Sequence, residues 1–288
     1  MNFFFLHVYC VIRYFSNLTK KLGRIKTEPY TQRQRNQRNC KMKLLDLTLL
    51  SPAENLACDE ALLDAAEAGT GDEVLRFWEP RKHFVVVGYA NKVATEVNVA
   101  ACETRGIPIL RRCSGGGTVA QGPGCLNYTL VLRITADGPL HSISSANRFI
   151  MRQNRAAIES LFRTFNPQPS TFNLSIRGHT DLAIGGRKFS GNSQRRRKHF
   201  LLFHGTFLLN FDLPLVSELL PMPSKQPDYR ERRAHTEFLT NLNVPANKVK
   251  AALRQAWKAE EPLNNPPLEK ITALARDKYA TREWNYKF

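Results

Sequence analysis

Hydrophobic side chains recur along this chain with two different periods, which predicts both helices and strands. Between residues 144 and 165 the apolar positions follow helical spacing, so we predict the longest helix there, packed on a sheet. Ser51 begins a capping box that runs through a proline to Glu54, which predicts a helix over residues 52–68 that stops at Gly69. Further helices are predicted between Asn98 and Gly106 and over residues 246–258 and 267–279.

Short apolar runs bounded by turn residues predict strands between these helices. Their predicted ranges are residues 74–78, 84–87, 107–110, 126–132, 181–184, 187–194 and 201–210. Gly185-Gly186 predicts a tight hairpin turn, and His204-Gly205 predicts an interruption of the last strand. Because some strands are joined by hairpins and others by helices, we predict the α/β (α+β) class, with a mixed, largely antiparallel sheet flanked by helices.

The chain of 288 residues carries a net charge of +17, which predicts an anionic partner without identifying it. Residues 1–41 are strongly basic, and residues 31–40 have the composition of a disordered segment. Residues 1–15 are apolar but too short for a membrane-spanning helix. We therefore predict a basic extension, disordered or translated from a mis-assigned start, before one folded domain over residues 42–288. A membrane-surface anchor and a nucleic-acid tail are the functional alternatives for this extension.

The six cysteines form no C-x-x-C pair, and their spacing matches neither a zinc site nor a compact disulfide framework. This favours a reducing, cytoplasmic compartment and predicts no metal centre. Cys113 and Cys125 flank a glycine-rich segment. There they are either nucleophiles or, as we favour, small half-buried hydrophobic side chains.

This glycine-rich segment carries the strongest chemical signal in the chain. It opens with Arg111-Arg112 and continues through Cys113 and Ser114 into Gly115-Gly116-Gly117. Glycines allow the backbone to approach a ligand closely and present its N–H groups, while arginines donate to carboxylate or phosphate. The segment is either an anion-binding loop or a plain hairpin connector. It has neither the dinucleotide-binding glycine pattern nor the P-loop lysine.

A second stretch favours the anion-binding interpretation. Lys188 follows the Gly185-Gly186 turn, and residues 190–193 after it are small, which leaves room for a ligand beside the ammonium group. A solvated edge position is the usual alternative for such a lysine.

Together the two stretches resemble the lipoate–protein ligase A family, within the superfamily of biotin and lipoate ligases and octanoyltransferases. Residues 111–119 are similar to its Arg-Arg-x-Ser-Gly-Gly-Gly-x-Val motif. Residues 186–193 are similar to its Gly-Arg-Lys-x-Ser-Gly-x-Ala motif, which His204-Gly205-Thr206 follows. The resemblance covers residues 44–288 and implies a fold like the catalytic core of biotin protein ligase and class II aminoacyl-tRNA synthetases.

The resemblance implies an ATP-dependent enzyme. The carboxylate of lipoate or octanoate would attack the α-phosphate of ATP, accompanied by Mg²⁺, to give an acyl adenylate and pyrophosphate. The ε-amine of a lysine on a lipoyl acceptor domain would then take the acyl group as an amide. The implied partners are acidic acceptor domains, namely 2-oxoacid dehydrogenase E2 subunits and glycine cleavage H protein, with neither nucleic acid nor membrane.

The resemblance also implies roles for individual residues. Lys188 matches the lysine that reaches both the acyl carbonyl and the phosphate, so we expect it to be catalytic. Asp181 matches an aspartate near the nucleotide, and His204 either lies beside the acyl pocket or is a structural histidine. The matching lipoate- and adenylate-binding loop consists of Arg112, Ser114, Gly115, Gly116, Gly117, Thr118 and Val119. The residues that either line an acyl tunnel or belong to the core are Leu62, Val87 and Leu130.

A basic loop predicted over residues 195–199, close to Lys188, offers a docking surface for an acidic acceptor. Its charged residues are Arg195, Arg196, Arg197 and Lys198. Solvation is the ordinary alternative for such a run of charges.

The chain departs from the family at Gln121-Gly122, where bacterial ligases usually have His-Asp, and at Cys113, which replaces a common arginine. We also expect it to be without the accessory C-terminal domain of the long ligases. We therefore expect either a separate accessory subunit or the use of a preformed adenylate.

Two alternatives to the ligase remain. The first is octanoyl transfer from acyl carrier protein through a cysteine thioester, but no cysteine follows Cys125 and none lies within residues 167–186. The second is a non-catalytic binding relative of the same fold. Retention of Lys188 with the intact glycine motif argues against it.

Overall fold

Two sheets and the helices around them make up the fold, which a computed structural model describes for residues 41–165 and 173–288. The strands are β1 (Lys43–Asp46), β2 (Val74–Trp78), β3 (Phe84–Val87), β4 (Ile109–Arg111), β5 (Val119–Gln121), β6 (Cys125–Arg133), β7 (Leu174–Arg177), β8 (Asp181–Ile184), β9 (Arg187–Arg196), β10 (Phe200–Leu208) and β11 (Glu261–Pro262). The helices are α1 (Pro52–Glu67), α2 (Val93–Glu96), α3 (Val99–Thr104), α4 (Ile143–Phe165), α5 (Leu213–Leu219), α6 (His235–Phe238), α7 (Ala246–Trp257), α8 (Leu268–Leu274) and α9 (Arg282–Asn285), with a 3₁₀ turn at Asp228–Arg230 and a π-helical turn at Ala275–Tyr279. The extension predicted over residues 1–41 lies outside the described residues except for Lys41.

The larger sheet has eight strands in the order β11-β1-β2-β6-β10-β9-β8-β7. Strands β11, β1 and β2 pair in parallel, and the other neighbours pair antiparallel. The smaller sheet has the order β4-β3-β5. The predicted fold class, a mixed and largely antiparallel sheet flanked by helices, is confirmed.

Each face of the larger sheet builds its own core, because successive side chains of a strand point to opposite faces. On one face Tyr128 belongs to a cluster with Ile150 of α4 and Val249 of α7. On the other face Val131 belongs to a cluster with Leu63 of α1. Helix α1 therefore covers one side of the sheet, and α4 and α7 cover the other.

Two cross-strand rows on the α1 face bring polar residues of distant segments together. One row joins Arg76, Thr129, His204 and Ser193 across β2, β6, β10 and β9. The next row, two residues further along each strand, joins Trp78, Asn127, Thr206, Gly191 and Asp181. Neighbouring strands lie about 4.8 Å apart. Each row is therefore short enough for one ligand to contact several of its members.

Helix α1 begins as predicted and carries two acidic residues into the interior. Ser51 Oγ accepts a hydrogen bond from the Glu54 backbone N–H at 3.1 Å, and Glu54 Oε2 accepts one from the Ser51 N–H at 2.8 Å. Both halves of the capping box are thus formed. Asp59 and Glu60, one turn further along, are buried.

Three predicted features of the strands are wrong. No strand was predicted between residues 110 and 126, but Val119–Gln121 forms β5 of the smaller sheet. Strand β10 is uninterrupted, because it pairs along its length with both β6 and β9 and this holds His204 and Gly205 in the ladder. The basic loop predicted over residues 195–199 is shorter, because Arg195 and Arg196 belong to β9.

Candidate active site

A cavity of about 830 Å³ lies between the α1 face of the larger sheet, the glycine loop (residues 112–118) and the covering segment (residues 221–234). The residues predicted for the site that line it are Arg112, Gly116, Gly117, Thr118, Val119, Asp181, Lys188 and His204. Ser114 is buried, and it contacts the cavity wall through a hydrogen bond to His204. The fold thus places the glycine-rich segment and the segment around Lys188 in the wall of the same cavity.

The glycine loop presents a row of backbone donors. Among the described residues, none accepts a hydrogen bond from the N–H groups of Gly115, Gly116, Gly117 and Thr118. Gly116 has φ +88°, a conformation that a side chain would strain. A Cβ added to Gly88 would lie 2.0 Å from the Gly116 carbonyl oxygen, so this close approach of two backbones requires glycine. Successive N–H groups of this kind form a nest for an anion.

The Arg112 guanidinium holds the loop in this shape. Its Nη2 donates to the carbonyl oxygens of Gly115 at 2.6 Å and Gly117 at 2.7 Å, and its Nε donates to Ser114 Oγ at 3.1 Å. Gly116, Gly117 and Thr118 line the cavity, whereas Gly115, which was also predicted for the site, does not. Burial lowers the pKa of Arg112 to about 10.

Arg111 supports the loop from outside the cavity, which the sequence pattern did not reveal. Its fully buried guanidinium donates to five backbone carbonyl oxygens and not to a ligand. The acceptors belong to Gly88, Tyr89, Asn91, Trp284 and Asn285. Adjacent residues of an extended segment point to opposite sides. The expectation that both arginines donate to an anion is therefore wrong for Arg111.

Lys188 reaches the cavity beside a carboxylate. Its Nζ lies 2.8 Å from Asp181 Oδ1, and the Tyr229 hydroxyl donates to Asp181 Oδ2 at 2.8 Å. Burial and the neighbouring Asp181 raise the pKa of Tyr229, so its hydroxyl keeps the proton that it donates. The ammonium of Lys188 is thus aligned before any ligand binds.

A chain of hydrogen bonds joins His204 to α1 and to the glycine loop. His204 Nε2 lies 2.6 Å from Ser114 Oγ, and its Nδ1 lies 3.0 Å from Asp59 Oδ2. The Arg112 Nε–H can only donate, so Ser114 Oγ accepts from it. Asp59 is a carboxylate and can only accept, so His204 donates to it through Nδ1–H. In a neutral His204 ring, Nε2 is then the acceptor for the Ser114 hydroxyl.

Asp59, the carboxylate in this series of hydrogen bonds, is a site residue that the sequence analysis did not identify. Its second oxygen, Oδ1, accepts from Arg76 Nη1 at 2.6 Å. Burial alone would raise the pKa of Asp59, but Arg76 and His204 outweigh it and hold that pKa below its ordinary value. The available signal was the Asp59-Glu60 pair inside the otherwise apolar run of residues 56–63.

The apolar wall of the cavity differs from the predicted tunnel. Leu62, Val87 and Leu130 belong to three separate hydrophobic cores and do not line the cavity, so they are core residues. Val86 lines it instead, because it points to the opposite face of β3 from Val87. The other Ala, Val, Leu, Phe and Trp residues that line it are Leu56, Trp78, Val119, Ala120, Leu208, Val216, Leu220, Phe238 and Leu239.

The described cysteines are buried free thiols, and none of them lines the cavity. Burial raises the pKa of Cys113 and of Cys125 to about 12. A thiol with so high a pKa carries almost no thiolate and is a poor nucleophile. Of the two interpretations of this pair, the geometry favours small hydrophobic side chains. Part of the segment searched for a nucleophilic cysteine, residues 167–172, lies outside the described residues.

The basic run, residues 195–198 of the predicted basic loop, lies far from Lys188 along β9. Seven residues separate Lys188 from Arg195, which corresponds to roughly 23 Å in a strand. Arg195 donates to the Cys113 carbonyl oxygen at 2.7 Å, and Arg197 pairs with Asp64 at 2.8 Å. The expectation that this run lies close to the catalytic lysine is wrong, because β9 continues through Arg196.

Metal and membrane features are absent from the part of the chain that the structure describes. Within residues 41–165 and 173–288, no three His, Cys, Asp or Glu side chains are grouped so as to hold a metal ion. None of the helices in these ranges has the length and apolar character needed to span a bilayer.

Comparison with known families gives one match that covers most of the chain. Residues 51–258 match the lipoyl protein ligase A/B catalytic domain. An octanoyltransferase LipM of Geobacillus kaustophilus is 26% identical over 272 residues, which cover 85% of this chain and 98% of that protein. The lipoate-protein ligase A subunit 1 of Thermoplasma acidophilum is 28% identical over 249 residues, which cover 80% of this chain and 90% of that protein.

Solved structures with the same fold lead to the same group of proteins. The bipartite lipoate protein ligase of Thermoplasma acidophilum, studied with its E2 lipoyl domain, has a TM-score of 0.69 and 26% identity, over 85% of this chain and 96% of that one. A lipoate-protein ligase A bound with ATP has a TM-score of 0.63 and 28% identity, over 85% of this chain and 98% of that one.

Proposed function

This chain belongs to the lipoyl protein ligase A/B catalytic domain family, and from that premise we propose that it activates lipoate, or octanoate, with ATP and transfers the acyl group to a lysine of a lipoyl acceptor domain. One observation carries the proposal. Lys188 lines the same cavity as Gly116, Gly117 and Thr118, whose N–H groups have no acceptor among the described residues, and no described cysteine lines it. Donors for two anionic centres are present without a thiol that could carry the acyl group.

In the first step the substrate carboxylate attacks the α-phosphate of ATP, and pyrophosphate leaves. The negative charge grows on the phosphoryl oxygens, where the Lys188 ammonium and the loop N–H groups stabilise it. Mg²⁺ would accompany the phosphates and neutralise part of their charge. The described residues offer no three-ligand metal cluster, so a metal that arrives with the nucleotide fits this site better than a resident one.

In the second step the ε-amine of the acceptor lysine attacks the acyl carbonyl, and AMP leaves. The same donors serve the oxyanion of the tetrahedral intermediate. The hydrogen-bond chain from Asp59 through His204 to Ser114 keeps the loop in register with Lys188 during both steps. Asp181 holds the ammonium in place until the ligand enters.

The acceptors that we propose are acidic lipoyl domains of 2-oxoacid dehydrogenase E2 subunits and glycine cleavage H protein. Support comes from the solved ligase studied with its E2 lipoyl domain. A separate accessory subunit is a further proposal, since that relative is described as bipartite. The free thiols fit a reducing, cytoplasmic setting. We propose neither nucleic acid nor membrane as a partner.

A direct assay tests this function. The purified protein is incubated with ATP–Mg, lipoate and a lipoyl-domain acceptor, and the mass of the acceptor is measured. We expect a gain of one lipoyl group that requires ATP. Modification from octanoyl-carrier protein without ATP would instead support octanoyl transfer, the second candidate, which the match to LipM over 98% of its length favours.

Docking of the acceptor at the basic run gives a separate prediction. The arginines of this run are engaged within the chain, whereas Lys198 is exposed. We expect Lys198→Glu to raise the KM for the acceptor roughly two- to fivefold at low salt, and less at high salt, because an exposed charge pair is weak and screened. The exposed Lys82→Glu change serves as the control. An unchanged KM in Lys198→Glu would argue against docking there.

A further inference from the structure

Strand β9 contains a β-bulge next to Lys188. Ser190 pairs with Leu182 of β8, but the next pair along the two strands joins Lys188 to Ala183. Phe189 is therefore an extra residue in β9, and the register of the two strands shifts at this point. A bulge of this kind changes the face to which the following side chains point.

The bulge places the Lys188 side chain on the cavity side of the larger sheet. In a regular strand, residues 188 and 190 would lie on the same face. Leu182, which is paired with Ser190, belongs to the hydrophobic core on the α4 face, and so does Phe189. The Lys188 Nζ instead lies 2.8 Å from Asp181 Oδ1, in the cavity wall on the α1 face. Without the extra residue, the ammonium would point toward the α4 core and away from the cavity.

Gly191 lies beside the end of the Lys188 side chain. A Cβ added to Gly191 would lie 2.7 Å from both Cε and Nζ of Lys188, which is too close for these two atoms to remain in place. The next nearest atom, Asp181 Oδ1, would lie 3.6 Å away, at an ordinary van der Waals distance. The backbone of Gly191 does not itself require glycine, because its φ lies outside the left-handed region. The contact that excludes a side chain here is therefore the contact with the lysine.

We propose that Gly191 is a positioning residue for the reaction, and that its missing side chain sets where the Lys188 ammonium lies. The inference rests on the proposed function, in which Lys188 is the catalytic group, and deepens it. The bulge at Phe189 selects the face, and Gly191 leaves the space through which the ammonium reaches Asp181 and the cavity. Only the end of a flexible side chain would have to move in Gly191→Ala, so this change should displace the ammonium without disturbing the strand.

Gly191→Ala should therefore have opposite effects on activity and stability. We expect kcat for lipoyl transfer to fall roughly 10- to 100-fold, because a displacement of about 1 Å at a reacting group can cost that much. The KM for the acceptor should stay within about twofold. The midpoint of urea unfolding should be unchanged or higher, because a glycine inside a strand is less favourable than an alanine. In the Lys188→Ala background, Gly191→Ala should change the rate by less than about twofold, since the group through which it acts is absent.

A second measurement does not depend on acyl transfer. Competitive labelling with acetic anhydride, followed by peptide mass spectrometry, gives the reactivity of individual lysines. We expect Lys188 to react about two- to fivefold faster in Gly191→Ala than in the wild type, because its ammonium loses the ion pair with Asp181. Lys225, an exposed lysine that also lines the cavity, should react equally fast in both proteins and is the internal control.

An unchanged kcat in an active enzyme, or unchanged labelling of Lys188, would overturn the inference. A loss of rate that adds fully to that of Lys188→Ala, or that accompanies a lower unfolding midpoint, would also overturn it, because Gly191 would then serve only the strand. If the wild-type protein transfers no lipoyl group, the proposed function fails. Faster labelling of Lys188 in Gly191→Ala would still uphold the positioning of the ammonium by Gly191.

Discussion

Replacement of Lys188 by alanine should lower the rate of lipoyl transfer to an acceptor by roughly 10²–10³-fold, as expected for loss of one donor to a developing anion. The Lys188 ammonium lies in the cavity, 2.8 Å from Asp181 Oδ1. The other Lys and Arg residues that line the cavity, Arg112, Lys225 and Arg230, lie on other segments of the chain. We expect kcat to fall for both adenylate formation and transfer, because both transition states gather charge beside this group. The measurement is single-turnover kinetics of each half-reaction.

Two further variants serve as controls for Lys188→Ala. Lys198→Ala removes an exposed lysine just after the end of β9 and should leave both rates unchanged at saturating acceptor. Lys188→Arg keeps the charge but replaces a compact ammonium with a planar fork, so we expect only partial recovery. Full activity in Lys188→Ala, with an unaltered fold by circular dichroism, would contradict a catalytic role for this lysine.

Replacement of Asp59 by alanine should reduce the free energy of unfolding by about 3–5 kcal/mol, the cost of breaking a buried ion pair from one side. Arg76 is fully buried and donates to Asp59, so the change leaves a guanidinium in the interior without its carboxylate. Urea unfolding of both proteins measures the difference. Asp64→Ala, in the same helix, breaks only partly exposed pairs and should cost less than about 1 kcal/mol.

The same carboxylate makes stability depend on pH. The folded-state pKa of Asp59 is held below its ordinary value of about 3.9. Its contribution is therefore complete above that unfolded-state pKa, and it declines as pH falls through the lower folded-state pKa. We expect the difference between wild type and Asp59→Ala to shrink between neutral pH and about pH 2. A difference that is the same at both ends of this range would show that the ion pair is not its source.

Much of the fold could be predicted because local signals and tertiary packing agree. The Ser51 capping box starts α1 where the sequence places it, and the Gly185-Gly186 turn joins β8 to β9 as predicted. These signals lie within a few residues of the feature that they specify. The strand of Val119–Gln121 escaped prediction because three residues after a glycine run are too short to show a period.

The parts of the site that could not be predicted depend on contacts between distant segments. His204 and Asp59 are 145 residues apart, and only the sheet order brings them to 3.0 Å. Arg111 and Arg112 are chemically alike in the sequence, yet the strand alternation sends one to the backbone of the C-terminal segment and the other to the cavity. Leu62, Val87 and Leu130 show the same limit. Hydrophobicity identifies them as buried but does not say which of three cores receives them.

The carbonyl cluster around Arg111 links the glycine loop to residues that lie some 174 positions away in the chain, at Asn285. Contacts between residues so far apart in sequence form late in folding, because closing the long loop between them costs conformational entropy before the contacts stabilise the folded state. The loop would therefore acquire its anion-binding shape only after the larger sheet has formed. A partly folded chain would therefore have native-like strands but would not bind nucleotide. Ligand binding would then indicate that the C-terminal segment around Asn285 has packed against Arg111.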